Sequence, residues 1–386
     1  MSLYELAILG RDDPDICARL NQTITSMVAD FELAVGTDVI IHDRTSIAAR
    51  DKKAAFACAY IGGDATMDVE IAKSVIKDSA PVIPSVGPDE NFATAVPAVL
   101  SFANGLRRRA DDPDMKELAA ALLECVGLLR KQRRVFISYR RTESRMAALQ
   151  LHDVLASRGF DVFLDTHDIR PGEPFQDVLW HRLCDSDVVL MLDTPTYFAS
   201  TWTQQELGRA RAKEIHVLRI VWPGHTPNRR GDFAETIYLD AGELVGVDGP
   251  IVGWKADTIV LNVERLRSKS IASRYRTITG KLRVEVELIG GNIVGIGSHR
   301  AVSIKLDDDQ SCWAYPIVGI PTAELLHDVA LKAARAEQNG VPILVYDGVG
   351  ISKPWEDHLN WLDSQITAVR ALRSDRIAWE LAEGVV

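Results

Sequence analysis

The chain has 386 residues, 47% of them hydrophobic and 25% charged, enough apolar material for the cores of two or three ordinary domains. Its 54 acidic residues outnumber 44 basic ones, for a net charge of −10, which argues against nucleic acid or an anionic membrane as the main partner. No stretch is apolar for long enough to span a bilayer, and Met1-Ser2-Leu3-Tyr4-Glu5 lacks the basic and apolar regions of an export signal. The cysteines (17, 58, 125, 184 and 312) are scattered, odd in number and form no CxxC pair, so free thiols in a reducing cytoplasm are expected, without a zinc site.

In chain order, short apolar runs at Leu6–Leu9, Val39–Ile41, Phe56–Ile61 and Val82–Val86 read as strands. Helical spacing marks Ile16–Phe31, Asp68–Lys77 and Phe92–Leu106. Such alternation implies a parallel sheet covered by helices. The polar stretch Arg107–Asp114 suggests a boundary, giving an N-terminal α/β domain over 1–112 and a linker helix within 113–131, from about Met115 to Leu129. A second alternating segment then begins. Strands are expected at Val135–Tyr139, Val162–Leu164, Val188–Leu192 and Val217–Trp222, with helices at Arg145–Ser157 and Phe175–Cys184. A further helix begins at Trp202, with Thr201 and Gln204 in a capping-box pattern. Residues 256–386 make a third unit of α/β or α+β class. There Asn292–Ile296 and Val341–Tyr346 read as strands, Thr322–Glu337 and Trp355–Ile366 as helices, and Leu282–Ile289 fits either period.

Two features of the middle segment bear on chemistry. Arg134-Val135-Phe136-Ile137-Ser138-Tyr139-Arg140-Arg141 is an apolar strand tipped by a hydroxyl, a ring and two guanidinium groups, as a site for a phosphate-bearing ligand would need. Trp202 and Glu206 are spaced i, i+4, which on a helix puts an indole and a carboxylate on one face about one turn apart.

Residues 132–255 resemble a TIR domain, the Toll/interleukin-receptor fold, through four features in order. Val135–Arg141 looks like the first strand and its loop, and Gly159–Asp165 like the second strand. Ile169-Arg170-Pro171-Gly172-Glu173-Pro174-Phe175 is similar to the BB loop, and Trp202-Thr203-Gln204-Gln205-Glu206 matches the WxxxE helix of TIR domains that degrade NAD. The resemblance implies a flavodoxin-like, five-stranded parallel sheet with its ligand cleft at the carboxyl ends of the strands. It further implies NAD+ as a substrate rather than a cofactor, self-association through TIR contacts, and, in bacteria, a role in antiphage defence.

The chemistry of NAD+ cleavage narrows the roles. Nicotinamide leaves as a neutral ring and needs no proton, so one carboxylate beside the developing ribosyl cation suffices where a glycosidase needs two. Glu206 is the candidate for that task. Trp202 is read as stacking on nicotinamide or adenine, or else as a core or interface tryptophan. Ser138, Tyr139, Arg140 and Arg141 are expected at the substrate, one arginine pairing with pyrophosphate while the other covers helix surface. Asp165, His167 and Asp168 belong to a loop restrained by Pro and Gly, which the resemblance implies gates the cleft; Asp165 and Asp168 are expected at the substrate, and Phe175 is read as core or as stacking on the ligand. The competing readings are a non-enzymatic adaptor, which would typically lack the helix glutamate, and a nucleotide sensor with a degenerate TIR unit. Gly290-Gly291, a strand and Gly295-Ile296-Gly297-Ser298 are faintly similar to SLOG domains, which would make the C-terminal unit a sensor of a nucleotide-derived activator.

Overall fold

The computed structural model describes residues 2–103, 105–128, 133–164, 175–199, 201–306, 310–336 and 338–383, without the side chains of 175–177, 201 and 202. It contains three five-stranded sheets, in strand orders β2-β1-β3-β4-β5, β10-β9-β8-β6-β7 and β11-β12-β13-β14-β15. The first two are parallel throughout. In the third, two antiparallel pairs precede two parallel ones. The chain packs as two compact units, one of Met1–Leu129, Tyr275–Gly348 and Pro354–Val386, the other of Arg130–Arg274 and Val349–Lys353.

In the first unit, β1 (Tyr4–Gly10), β3 (Ala55–Ile61) and β4 (Val82–Val86) are buried along their whole length, as strands covered on both faces should be. β2 (Val39–His42) flanks β1, and α1 (Pro14–Ala29) starts under Asp13, whose carboxylate accepts the Ile16 N–H. The helix expected over Phe92–Leu106 is broken. α3 (Phe92–Ala95) is a single turn, Val96 is extended ahead of Pro97, and the two-residue strand β5 (Leu106–Arg107) joins the sheet edge. The cause is local: proline lacks the N–H that a helix needs and clashes with the turn before it. α2 (Val69–Lys77) follows β3, and α4 (Lys116–Cys125) packs on α1 and β3 through Leu118, Leu122 and their neighbours.

The same unit holds the C-terminal sheet. Its strands are β11 (Asn292–Ile296), β12 (Val302–Lys305), β13 (Ser311–Pro316), β14 (Ile343–Tyr346) and β15 (Arg370–Arg373). The helix α9 (Ala323–Arg335) is capped by the Thr322 hydroxyl; α10 (Lys353–Gln365) and α11 (Ile377–Ala382) follow.

The second unit contains β6 (Arg134–Ser138), β7 (Asp161–Leu164), β8 (Val188–Asp193), β9 (His216–Val221) and β10 (Glu235–Tyr238). Its helices are α5 (Arg141–Ser157), α6 (Phe175–Asp185) and α7 (Thr201–Ala212). A 36-residue helix, α8 (Gly253–Leu288), contributes to both units and settles Leu282–Ile289 as helical. Its apolar positions Ile259, Val263 and Leu266 close the core over Val135, Ile137 and Leu190. No helix among the described residues is long and apolar enough to cross a membrane.

Candidate active site

The chain runs from β6 outward to β7 and then returns to the other side of β6 as β8, so the switch point of the sheet lies between β6 and β8. Open α/β sheets bind ligands there, beyond the carboxyl ends of the strands. Ser138 is the last residue of β6 and Asp193 the last of β8, both fully buried. The side chains above these two tips form the candidate site.

Glu206, one turn inside α7, is only 3% exposed, and its carboxylate accepts a hydrogen bond from the Ser138 hydroxyl. Tyr197, buried in the short turn after β8, lies with its Oη 2.6 Å from Ser138 Oγ. A serine hydroxyl has one proton, and here it goes to Glu206, so the phenol donates to Ser138. The result is a directed chain from Tyr197 through Ser138 to the carboxylate. Burial pushes the Tyr197 phenol well above its ordinary pKa, and the Glu206 charge pushes it further, against a smaller lowering from the Ser138 hydrogen bond. The donor at the head of the chain therefore stays protonated at neutral pH.

The helix that carries Glu206 is tied to the turn that carries Tyr197. Thr203 Oγ1 donates to the Tyr197 carbonyl at 2.6 Å and Gln204 Nε2 to the Phe198 carbonyl at 2.8 Å. The Thr201 side chain of the expected capping box lies outside the described residues, and the Gln204 side chain is engaged elsewhere. α7 already includes Thr201, and the Gln204 amide oxygen accepts from Arg230 rather than turning back to the helix start. The preceding turn supplies carbonyls for these side chains, so they anchor tertiary structure instead.

A second buried cluster lies one strand over. Asp193 receives Arg219 of β9 at 2.5 Å and the ring nitrogen of His225 at 3.3 Å. The Arg219 fork reaches on to the Asn228 carbonyl at 2.9 Å. None of these positions carried a site role in the sequence: Arg219 fell inside an expected strand, Asp193 just past the end of another, and His225 and Asn228 in the loop after Pro223. The available signal was an arginine in the middle of the apolar run Val217–Trp222 and an aspartate closing the run Val188–Asp193: buried opposite charges on neighbouring strands of one sheet.

The other expected residues divide. Arg140 is half-buried just before α5, where its carbonyl accepts from the Ser144 N–H at 3.0 Å. Its Nε is buried without a hydrogen-bond partner among the described residues. Arg141 is exposed on the first turn of α5. Tyr139 packs into the core beside Ala147 and Leu151 at 6% exposure, and so sits apart from the Ser138–Glu206 chain. Trp202 lies on α7 four residues before Glu206, and Phe175 opens α6; their side chains are outside the described residues, as are Asp165, His167, Asp168 and the rest of the 165–174 loop.

A family model for the TIR domain matches residues 135–244, the stretch that runs from the first strand of this sheet past the last. Residues 135–244 are a TIR domain. The chain is also 23% identical over 93 residues to the 2' cyclic ADP-D-ribose synthase BtTIR of Bacteroides thetaiotaomicron. The match spans 24% of this chain and 32% of that protein. Among solved structures, tagatose-6-phosphate ketose/aldose isomerases are matched at 12% identity (Escherichia coli; 70% of this chain, 81% of that one) and 10% (Clostridium novyi NT; 71% and 79%). Both have a TM-score of 0.20, too low to inform the fold or the chemistry. The TIR sheet is the expected flavodoxin-like parallel sheet, with Glu206 on the helix that follows its third strand in sequence.

Proposed function

We propose that the TIR domain cleaves the nicotinamide–ribose bond of NAD+. The observation that carries this reading is the buried Glu206 carboxylate, oriented by Ser138 and Tyr197 at the switch point of the sheet. As the bond stretches, positive charge grows on the ribose anomeric carbon and its ring oxygen while nicotinamide departs neutral. A carboxylate held in a dry setting favours that charge more than the same group in water, because water is not there to screen it. The Tyr197–Ser138 chain fixes the direction of the carboxylate before substrate arrives, so no reorganisation is needed as the cation forms.

Water adding to the anomeric carbon, with loss of its proton, gives ADP-ribose. A hydroxyl of the same molecule adding there gives a cyclic isomer, also with one proton released. The Bacteroides relative, a 2' cyclic ADP-D-ribose synthase, supports the second outcome as a member of the same reaction class. The buried Nε of Arg140, without a hydrogen-bond partner among the described residues, supports a pyrophosphate contact at the tip of β6, since a guanidinium fork matches phosphate oxygens. The reading includes assembly through TIR–TIR contacts and signal-triggered activity in antiphage defence, both taken from the family resemblance.

The test is chromatographic measurement of nicotinamide released when the purified full chain is incubated with NAD+. Glu206→Gln keeps the volume and one acceptor but removes the charge, and the rate is expected to fall at least about a hundredfold. A Glu206→Gln variant that releases nicotinamide as fast as wild type ends the enzymatic reading in favour of an adaptor or a sensor.

A further inference from the structure

The unit that holds both chain ends contains a cavity of about 280 Å³ lined by Ile76, Lys77 and Ser79 at the end of α2, Arg283 of α8, and residues 293–296 of β11. We infer that it is a binding site for a small organic phosphate monoester. Three independent features of the cavity point there.

The first is charge. Lys77 and Arg283 both line it, and among the described residues neither has an ion-pair partner; Arg283 donates only to Ser79 Oγ, at 3.0 Å. Exposed Lys77 and half-buried Arg283 thus leave two positive charges on one small cavity of a protein whose net charge is −10. The neighbouring carboxylate does not cancel them, because Asp78 is held by Arg50 at 2.5 Å and by Lys52 at 2.9 Å. Two positive charges match a phosphate monoester, which carries about −1.5 to −2 at pH 7, better than a carboxylate of −1. Arg283 offers the planar fork and Lys77 a mobile point charge, while the Ser79 hydroxyl supplies a third polar contact.

The second is strain. Ser79 has φ of +54°, the left-handed conformation just past a helix end where glycine costs least. The turn alone would favour glycine. A serine there places a hydroxyl on the cavity wall at the expense of backbone comfort, and strain of that sort gathers where ligands bind.

The third is the strand. β11 is the edge of its sheet, so one row of its backbone N–H and C=O groups lies outside the ladder, and its register with β12 shifts between Ile293 and Gly295. That irregularity falls within the stretch 293–296 that lines the cavity, and such breaks in a ladder are over-represented beside ligand sites. The volume sets the size of the guest. It lies at the lower limit of ligand pockets, about 300 to 1,000 Å³, so a phosphate on one ring-sized body fits and a dinucleotide does not. The site is thus distinct from the one proposed for NAD+, and either assignment can fail without the other.

The experiment is calorimetric titration of the full chain with ribose 5-phosphate, AMP and inorganic phosphate, with ribose and adenosine as uncharged controls. At least one of the two monoesters is expected to bind more tightly than inorganic phosphate, and the controls not at all. Lys77→Gln, at an exposed position, and Arg283→Lys, which keeps the charge but loses the fork, should each weaken that binding about tenfold. Ser79→Gly separates site from scaffold: the melting temperature should hold or rise while affinity falls. No binding by either monoester, equal binding by ribose or adenosine, or affinity unchanged in Lys77→Gln and Arg283→Lys overturns the assignment.

Discussion

Single residues decide the chemistry of this protein through their partners rather than their identity. A lone glutamate on a helix is ordinarily solvated, but Glu206 is 3% exposed because Ser138, ending a buried strand, presents its hydroxyl there. Asp193 illustrates the energetic side. Both it and Arg219 are almost wholly buried, so removing one charge strands the other without water or partner. Asp193→Asn is expected to cost about 3 to 5 kcal/mol, measured as a loss of denaturant stability, whereas the double variant Asp193→Asn with Arg219→Met should lose less than the sum of the two singles. Additive losses would mean that the pair is not coupled. Tyr139 teaches the reverse lesson. It follows Ser138 directly, yet the alternation of a strand sends successive side chains to opposite faces, and Tyr139 goes to the core under α5.

At the level of elements, periodicity located most strands and helices, and misjudged them where one residue or a buried charge broke the pattern. Pro97 ended a helix that spacing alone extended to Leu106. α8 was legible only in part. Ile259, Val263, Leu266, Ile271, Tyr275 and Ile278 recur at helical spacing, but Glu264, Arg267 and Arg274 are buried among them and blur the contrast between faces. Those charges are satisfied at long range: Arg133 meets Glu264 at 2.6 Å, and Arg274 donates to the Ser186 carbonyl at 2.8 Å. The tip of β1 tests how much backbone geometry contributes. Gly10 has φ of +89°, and a Cβ there would lie 2.3 Å from the Ile61 carbonyl oxygen. Gly10→Ala should therefore cost at least about 2 kcal/mol through strain and collision together, read as a lowered unfolding midpoint. A neutral result would show that β1 and β3 can part at that end without penalty.

For the molecule as a whole, the notable fact is that the two ends of the chain build one compact unit, while the TIR domain belongs to the other. Glu124 of α4 binds elements from the far end of the sequence within that unit. Its carboxylate meets His299, at 2.5 Å, in the turn between β11 and β12, and Lys332 of α9. Burial alone would raise its pKa, but the His299 hydrogen bond and the charges of His299 and Lys332 outweigh that and hold it at about 2, against an ordinary 4.5. A carboxyl depressed in the fold adds stability above its unfolded pKa and loses it as pH falls toward the folded one. The contribution, about 3 kcal/mol, should be complete above pH ~4.5 and gone near pH ~2. Glu124→Gln should lower the denaturant midpoint at pH 7 and make its fall between pH 4.5 and 2 shallower; parallel curves for variant and wild type would refute this linkage.

Read alone, the sequence determined the α/β class, the TIR domain and the candidacy of Ser138 and Glu206, because strand and helix periods and short motifs are local properties of the chain. Only the tertiary structure decided that Tyr197 completes the chain to Glu206, that Asp193 and Arg219 neutralise each other, and that residues before 130 share a unit with 275–348 and 354–386. Those outcomes depend on which distant groups are buried together. The free energy of a charge or a hydroxyl is set by the partners that packing brings to it, which no local pattern encodes.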